Sequence, residues 1–250
     1  MSACGSGFSM KVTVILPAAG LGTRMGRSVP EKAGTSRKQF MLLDGSPILL
    51  HTIRKFASSP RVKEIVVALR AEDVEWVAEL LQKESFGKVV RWVEGGDSRQ
   101  ESVEHALATL PSETELVAVH DAVRPFIELS TLEKVFAEAD ECGAAIVGIV
   151  PVDTVKQVHR NKIRQTIPRE RLVLAQTPQV FRFDLLKQAF AKAREDGFAG
   201  TDESSLVERL EQVEVSVVPG SDRNIKITKP TDMDLAKLFL AEELATRESS

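Results

Sequence analysis

Short apolar runs that alternate with amphipathic stretches constrain this chain more than any other feature. Residues 12–16, 64–69, 88–93, 116–120 and 144–150 are apolar runs of strand length bounded by turn signals. Between them, residues 47–58, 71–85, 98–110 and 131–142 place apolar side chains at helical spacing, as with Val103, Ala106 and Leu107 in the third stretch. Strand and helix in strict alternation predict an α/β fold, a mostly parallel sheet covered by helices on both faces. In such sheets ligands bind beyond the carboxyl ends of the strands. Four loops therefore form the expected rim of a site: 18–24, 95–97, 121–125 and 151–154.

After residue 150 the rhythm changes. Residues 155–159 and 163–167 flank Arg160-Asn161-Lys162 as a hairpin with polar residues on both arms. Such a hairpin has little to bury within its own subunit, which predicts a protruding β-arm, about 152–170, that pairs with another chain. The α/β pattern resumes with a helix at 183–195, a short helix after Thr201-Asp202, strands near 213–218 and 225–228, and a last helix from Pro230 capped by Thr231 and Asp234. Residues 1–10 read as a flexible leader, 11–246 as a single domain and 247–250 as a tail.

Composition excludes several classes of function. Apolar residues at 43% and charged residues at 28% describe a globular chain, and the net charge of −3 argues against nucleic acid as a partner. Two cysteines, Cys4 and Cys142, make neither a disulfide framework nor a zinc site, so a reducing, cytoplasmic setting is expected. No apolar run is long enough for a membrane span and no secretory signal precedes Met10. The four histidines stand in unrelated settings, and no G-x-S-x-G elbow marks a nucleophile.

One segment breaks the overall charge balance. Between residues 24 and 38, Arg24, Arg27, Lys32, Arg37 and Lys38 face Glu31 alone, a local charge of 5 − 1 = +4. It follows Pro17-Ala18-Ala19-Gly20-Leu21-Gly22, a turn at a strand end where glycine lets the backbone approach a ligand closely. Strand, glycine turn and cations together make a place for phosphates. The turn lacks the third glycine of a dinucleotide fingerprint and the Gly-Lys-Ser/Thr of a Walker A loop. At another strand end, Asp121-Ala122-Val123-Arg124-Pro125 puts a carboxylate and a guanidinium on the rim.

These pieces, in this order, resemble the 2-C-methyl-D-erythritol 4-phosphate cytidylyltransferases. The resemblance runs through Pro17-Ala18-Ala19-Gly20-x-Gly22-x-Arg24-Met25 with Lys38-Gln39, then Gly95-Gly96-Asp97 with Ser102, and Val119-His120-Asp121-Ala122-x-Arg124-Pro125. It continues through Pro151-Val152-x-Thr154, Thr177-Pro178-Gln179, Thr201-Asp202-Glu203 and Asn224-Ile225-Lys226. It implies a three-layer Rossmann-like nucleotidyltransferase fold with a β-arm for dimerisation. The implied reaction joins cytidine triphosphate (CTP) to the methylerythritol phosphate and releases pyrophosphate, with Mg²⁺ bound mainly through the CTP phosphates.

The resemblance also implies roles. Arg24 and Lys38 would be catalytic, gripping the triphosphate. Ala18, Ala19, Gly20, Gly22, Gly96, Asp97 and Ser102 would bind the nucleotide, with Asp121 facing ribose and metal. Arg124, Thr154, Thr177, Thr201 and Lys226 would bind the polyol phosphate, and Arg169 would reach it from the partner of a homodimer. The family usually has Pro before Lys-Gln and a shorter Arg-to-Lys spacing; here Arg37 precedes Lys38 and residues 29–36 are an insertion. Lys32 is thus a rival for the catalytic lysine, and the inserted loop is expected to be disordered without nucleotide. Two other readings share much of this pattern: a ribitol 5-phosphate cytidylyltransferase and a non-catalytic nucleotide-binding module.

Overall fold

The computed structural model of the protein describes residues 10–20 and 37–248, with side chains as far as Thr246. Gly22, Arg24, Lys32 and the inserted segment lie outside the described residues. The first strand, β1 (Val12–Pro17), leads through a 3-10 turn (Lys38–Phe40) to a small ladder of β2 (Leu42–Leu43) and β3 (Ser46–Pro47). The alternation then follows: α1 (Ile48–Ala57), β4 (Val62–Leu69), α2 (Ala71–Gln82), β5 (Val89–Glu94), α3 (Arg99–Ala108), β6 (Leu116–Val119), α4 (Leu129–Cys142) and β7 (Ala144–Ile149). The hairpin β8 (Val155–His159) and β9 (Lys162–Ile167) interrupts it. The remainder is β10 (Leu174–Arg182), α5 (Phe183–Glu195), α6 (Glu203–Glu208), β11 (Ser216–Pro219) and α7 (Pro230–Glu248).

Seven strands form one sheet in the order β11-β7-β10-β6-β1-β4-β5. All pairings are parallel except those of β10, which runs antiparallel between β6 and β7. The period of two along each strand sorts side chains into layers. Val14 and Leu16 of β1, Ile65 and Val67 of β4 and Ala118 of β6 point to the layer with Ile53 and Phe56 of α1 and Phe136 of α4. Ile15, Val66, Val117 and Val119 point the other way, against Val103 and Leu107 of α3 and Leu186 and Phe190 of α5. Helices thus cover both faces, and the strand ends carry their loops to one edge.

The structure differs from the sequence reading in three places. Residues 174–182 form a strand buried in the sheet, which no apolar run announces because Gln176, Thr177, Pro178 and Gln179 interrupt it. Residues 225–228 are not a strand: Ile227 N donates to Val123 O at 3.0 Å, but no ladder forms. The apolar Ile225 and Ile227 instead join a small cluster with Val123, Phe126 and Met233 that clamps the segment to α7. The cap of α7 also differs. Asp232, not Thr231 with Asp234, accepts from Thr228 N at 2.8 Å, Thr228 Oγ1 at 2.9 Å and Lys229 N at 3.0 Å.

The hairpin forms its own two-stranded sheet, apart from the main one. Arg160 and Asn161 turn it with φ of 47° and 60°, the left-handed conformation that tight hairpins use. Its cross-strand pair Val158 and Ile163 is 61% and 65% exposed. Among the described residues no helix is long and apolar enough to cross a membrane.

Burial of β10 makes a specific demand on stability. Phe181 is fully buried between β6 and β7. Phe181→Ala is expected to lower the unfolding free energy by about 3–5 kcal/mol in urea titration, the usual cost of emptying an aromatic site in a core.

Candidate active site

Three of the four expected rim loops meet at one pocket beyond the carboxyl ends of β1, β5 and β6, whereas the loop at 151–154 lies outside it. Ala18, Ala19, Gly20, Lys38, Gly96, Asp97, Ser102, Asp121 and Lys226 line it, together with Gln39, Ser98 and Arg99. The turn after β1 is fixed by Gln39, whose buried amide donates to Ala18 O at 2.6 Å and Gly20 O at 3.3 Å. Phe40, fully buried edge-on against Trp76, anchors the 3-10 turn that carries Lys38 to the pocket. Arg37 is drawn away to the carboxylates of Glu72 and Asp73 at the start of α2. Of the two adjacent cations, Lys38 is the one at the site.

The second wall is the turn between β5 and α3. Gly95 N donates to Leu69 O at 2.7 Å, and a Cβ there would sit 2.7 Å from Ala19 Cβ. A Cβ on Gly96 would meet Glu101 Cβ at 2.4 Å, so both glycines are required by close approach rather than by positive φ. Ser98 and Glu101 form a capping box at the start of α3. Ser102 Oγ accepts from Gly96 N at 3.2 Å and donates to Ser98 O at 2.8 Å, binding the turn to the helix. Asp97 is exposed on this turn.

The floor is a charge cluster centred on Asp121, which is 7% exposed. Its carboxylate lies 3.3 Å from Arg99 Nε, 3.2 Å from Arg124 Nε and 2.9 Å from Lys226 Nζ. Burial alone would raise the Asp121 pKa, but Lys226, Arg99 and Arg124 overcome it and hold the carboxyl well below the usual carboxylate range. Arg99 in turn makes a two-pronged pair with the buried Glu203 at 2.6 and 3.0 Å. Burial opposes its charge, but Glu203 and Asp121 outweigh that and keep the guanidinium protonated.

Backbone partners hold the cluster in place. Arg124 donates to Asn224 O at 2.7 Å, and Asn224 Nδ2 donates to Gln176 Oε1 at 3.0 Å and Thr177 O at 2.9 Å. Thr177 Oγ1 accepts from Asp121 N at 3.1 Å, so β10 braces the Asp121 loop from beside it. Fully buried His120 packs edge-on against Phe56, its ring Nε2 2.9 Å from Arg124 O. Its lowered pKa leaves the ring neutral, so Nε2 donates to that carbonyl.

The sequence-derived site residues divide into four groups. Nine line the pocket, and Arg124 and Thr177 touch Asp121 from behind. Thr154, Arg169 and Thr201 are exposed and do not line it; Arg169 donates to Val152 O at the base of the arm, and Thr201 adjoins Asp202, the cap of α6. Arg24 and Gly22 are outside the described residues. Sequence reasoning missed Arg99 and gave Glu203 no role. A signal for Arg99 was available: it opens α3, where the helix dipole disfavours a cation, so its place must be set by tertiary partners.

His120 makes stability depend on pH. Burial, aided by Arg124 and Arg99 and opposed by the carbonyl contact and Asp121, lowers its pKa from 6.5 to about 4. The unfolded chain therefore binds a proton between these values that the folded chain does not. Full stability is present above pH 6.5 and on the order of 3 kcal/mol is lost as pH falls towards 4. Urea midpoints at pH 7.5 and 4.5 are expected to differ accordingly, and His120→Gln to flatten that dependence.

The sequence model of the family described as 2-C-methyl-D-erythritol 4-phosphate cytidylyltransferase matches residues 12–242. A protein of that name from Solibacter usitatus is 71% identical over 240 residues, covering 94% of this chain and 98% of its own length. One from Acidobacterium capsulatum is 50% identical over 240 residues, covering 93% and 98%. Among solved structures, 4-diphosphocytidyl-2C-methyl-D-erythritol synthase from Anaerococcus prevotii superposes with a TM-score of 0.81 at 28% identity, over 94% of this chain and all of that one. The cytidylyltransferase from Thermus thermophilus gives 0.73 at 31% identity, over 92% and 98%.

Proposed function

The chain belongs to the 2-C-methyl-D-erythritol 4-phosphate cytidylyltransferase family, and from that premise we propose how its pocket performs the transfer. The activity is CTP-dependent cytidylyl transfer to 2-C-methyl-D-erythritol 4-phosphate. A phosphate oxygen of the polyol attacks the α-phosphorus of CTP; that P–O bond forms as the bond to the β-phosphate oxygen breaks and pyrophosphate leaves. The nucleophile is already ionised near pH 7, so no general base is required. Bringing two anions together is the difficulty, and positioned cations supply the catalysis.

The observation that carries this reading is the Asp121 cluster at the floor of the glycine-walled pocket. Lys38, beside the Ala18–Gly20 turn, and Arg24, in the segment that follows that turn, grip the triphosphate. Gly96, Asp97 and Ser102 present the nucleotide base with short polar groups at fixed positions. Lys226, which lines the pocket, binds the polyol phosphate, with Arg124 and Thr177 beside it around Asp121; Thr201, outside the pocket, is assigned to that phosphate by the family resemblance alone. Among the described residues no group of three or more His, Cys, Asp or Glu could hold a metal. As the family resemblance implies, Mg²⁺ would be held mainly by triphosphate oxygens, with the Asp121 carboxylate at hand, which fits its preference for few protein ligands. When bound it offsets the charge of the phosphates.

The β-arm supports a homodimer in which Thr154 and Arg169 complete a neighbouring site. Val152, Val158 and Ile163 are exposed on it, and an isolated two-stranded hairpin is marginal without a partner surface. Val158→Asp with Ile163→Asp is expected to turn a dimer into a monomer in sedimentation velocity and to reduce turnover.

Lys38→Ala tests the site itself. The expected result is a fall in kcat of about a hundredfold or more, the scale for removing a group that stabilises transition-state charge. Retained turnover here, with loss in Lys32→Ala, would transfer the role to Lys32. Pyrophosphate release with the methylerythritol and ribitol phosphates compares the two acceptors; the expected substrate is the first.

A further inference from the structure

Glu203 does not line the pocket, yet Arg99, which does, is held by it. It is 1% exposed, and it opens α6, whose cap Asp202 accepts from Gln179 Nε2 at 2.7 Å. Gln179 Oε1 also accepts from Ser204 N at 2.9 Å. The carboxylate is thus built into the sheet through β10. It faces Arg99 with two hydrogen bonds, Nη1 to Oε1 and Nη2 to Oε2, a bidentate arrangement that fixes the plane of the guanidinium as well as its position. The remaining nitrogen, Nε, points to Asp121.

Stability alone does not account for this pair. A buried ion pair gains little over apolar residues of similar volume, because desolvating both charges offsets their attraction. Arg99 also stands in the first turn of α3, against the helix dipole. What the pair accomplishes is geometric: α3 carries the Gly96–Ser102 wall, β6 carries Asp121, and Arg99 bridges α3 to the Asp121 carboxylate. With Glu203 fixed, Arg99 holds one carboxylate oxygen of Asp121 and leaves the other to Arg124 and Lys226.

We propose that Glu203 is a positioning residue for cytidylyl transfer, locking the Arg99 guanidinium so that Asp121 keeps the orientation that the nucleotide requires. The inference rests on the reading of Asp121 as the carboxylate that faces ribose and metal. Misplacement by a fraction of an ångström at such a group lowers the rate more than the affinity. Glu203→Gln preserves shape but removes the charge that fixes the guanidinium.

The test is steady-state kinetics on the full-length enzyme with CTP and the methylerythritol phosphate, beside thermal melts. Glu203→Gln is expected to lose about tenfold or more in kcat, with KM for CTP within about threefold and a folded melting profile. Glu203→Asp should fall between it and the parent. Combining Glu203→Gln with Arg99→Met should cost no more than Arg99→Met alone, because both act through one guanidinium. A folded Glu203→Gln with kcat within twofold of the parent, a loss confined to KM, or losses that multiply in the double variant would overturn the proposal. If Glu203→Gln does not fold, Arg99→Lys takes its place: an ammonium cannot bridge both carboxylates in this way, so a kcat equal to the parent's would overturn it and a tenfold loss would support it. Asp121→Asn separates the two layers of inference. Normal turnover there would remove the site reading itself, whereas a dead Asp121→Asn beside an active Glu203→Gln would remove only the role of Glu203.

Discussion

A single carboxylate organises the functional end of this molecule. Asp121 is almost wholly buried, and an isolated charge in that position would neutralise by taking up a proton. Three cations from three separate parts of the chain prevent this: Arg99 from the start of α3, Arg124 from its own loop, and Lys226 from the segment before α7. Two of the three are secured by further partners, Glu203 for Arg99 and the Asn224 carbonyl for Arg124. The cluster is therefore a joint between layers of the fold as well as the floor of a pocket.

The same arrangement accounts for a site without a nucleophile or a general base. In the mechanism proposed above, the acceptor brings its own anionic oxygen, and what the protein adds is fixed positive charge in a partly enclosed place. Backbone approach is the other requirement, met where Gly95 and Gly96 pass Ala19 and Glu101 at distances that leave no room for a Cβ. Fixed charge and close backbone both depend on rigid supports, and these are the sheet ends and the first turns of α3 and α6.

Strand β10 illustrates why part of the fold could not be read in advance. It is polar in its first half because Gln176, Thr177 and Gln179 are hydrogen-bonding struts to Ser221, Asp121 and Asp202, and that polarity hides a strand that is otherwise buried. The segment carrying Lys226 failed in the opposite direction. Its Ile225 and Ile227 imitate a strand, but they serve to pin the loop to α7 through a small apolar cluster. Pattern reports which side chains are buried, not whether the backbone beneath them finds a ladder.

By itself the sequence determined the α/β class, the edge of the sheet where the site lies, the glycine walls, and the order of motifs that marks the family. These are local properties, carried by apolar periodicity, turn chemistry and short spacings. Tertiary structure alone decided that Arg37 turns to α2 while Lys38 lines the pocket, that Arg99 and Glu203 pair across 104 positions of chain, and that His120 is buried and neutral behind Arg124. Charge pairing over such separations leaves no periodic trace. It depends on which loops the completed sheet brings within a few ångströms of one another.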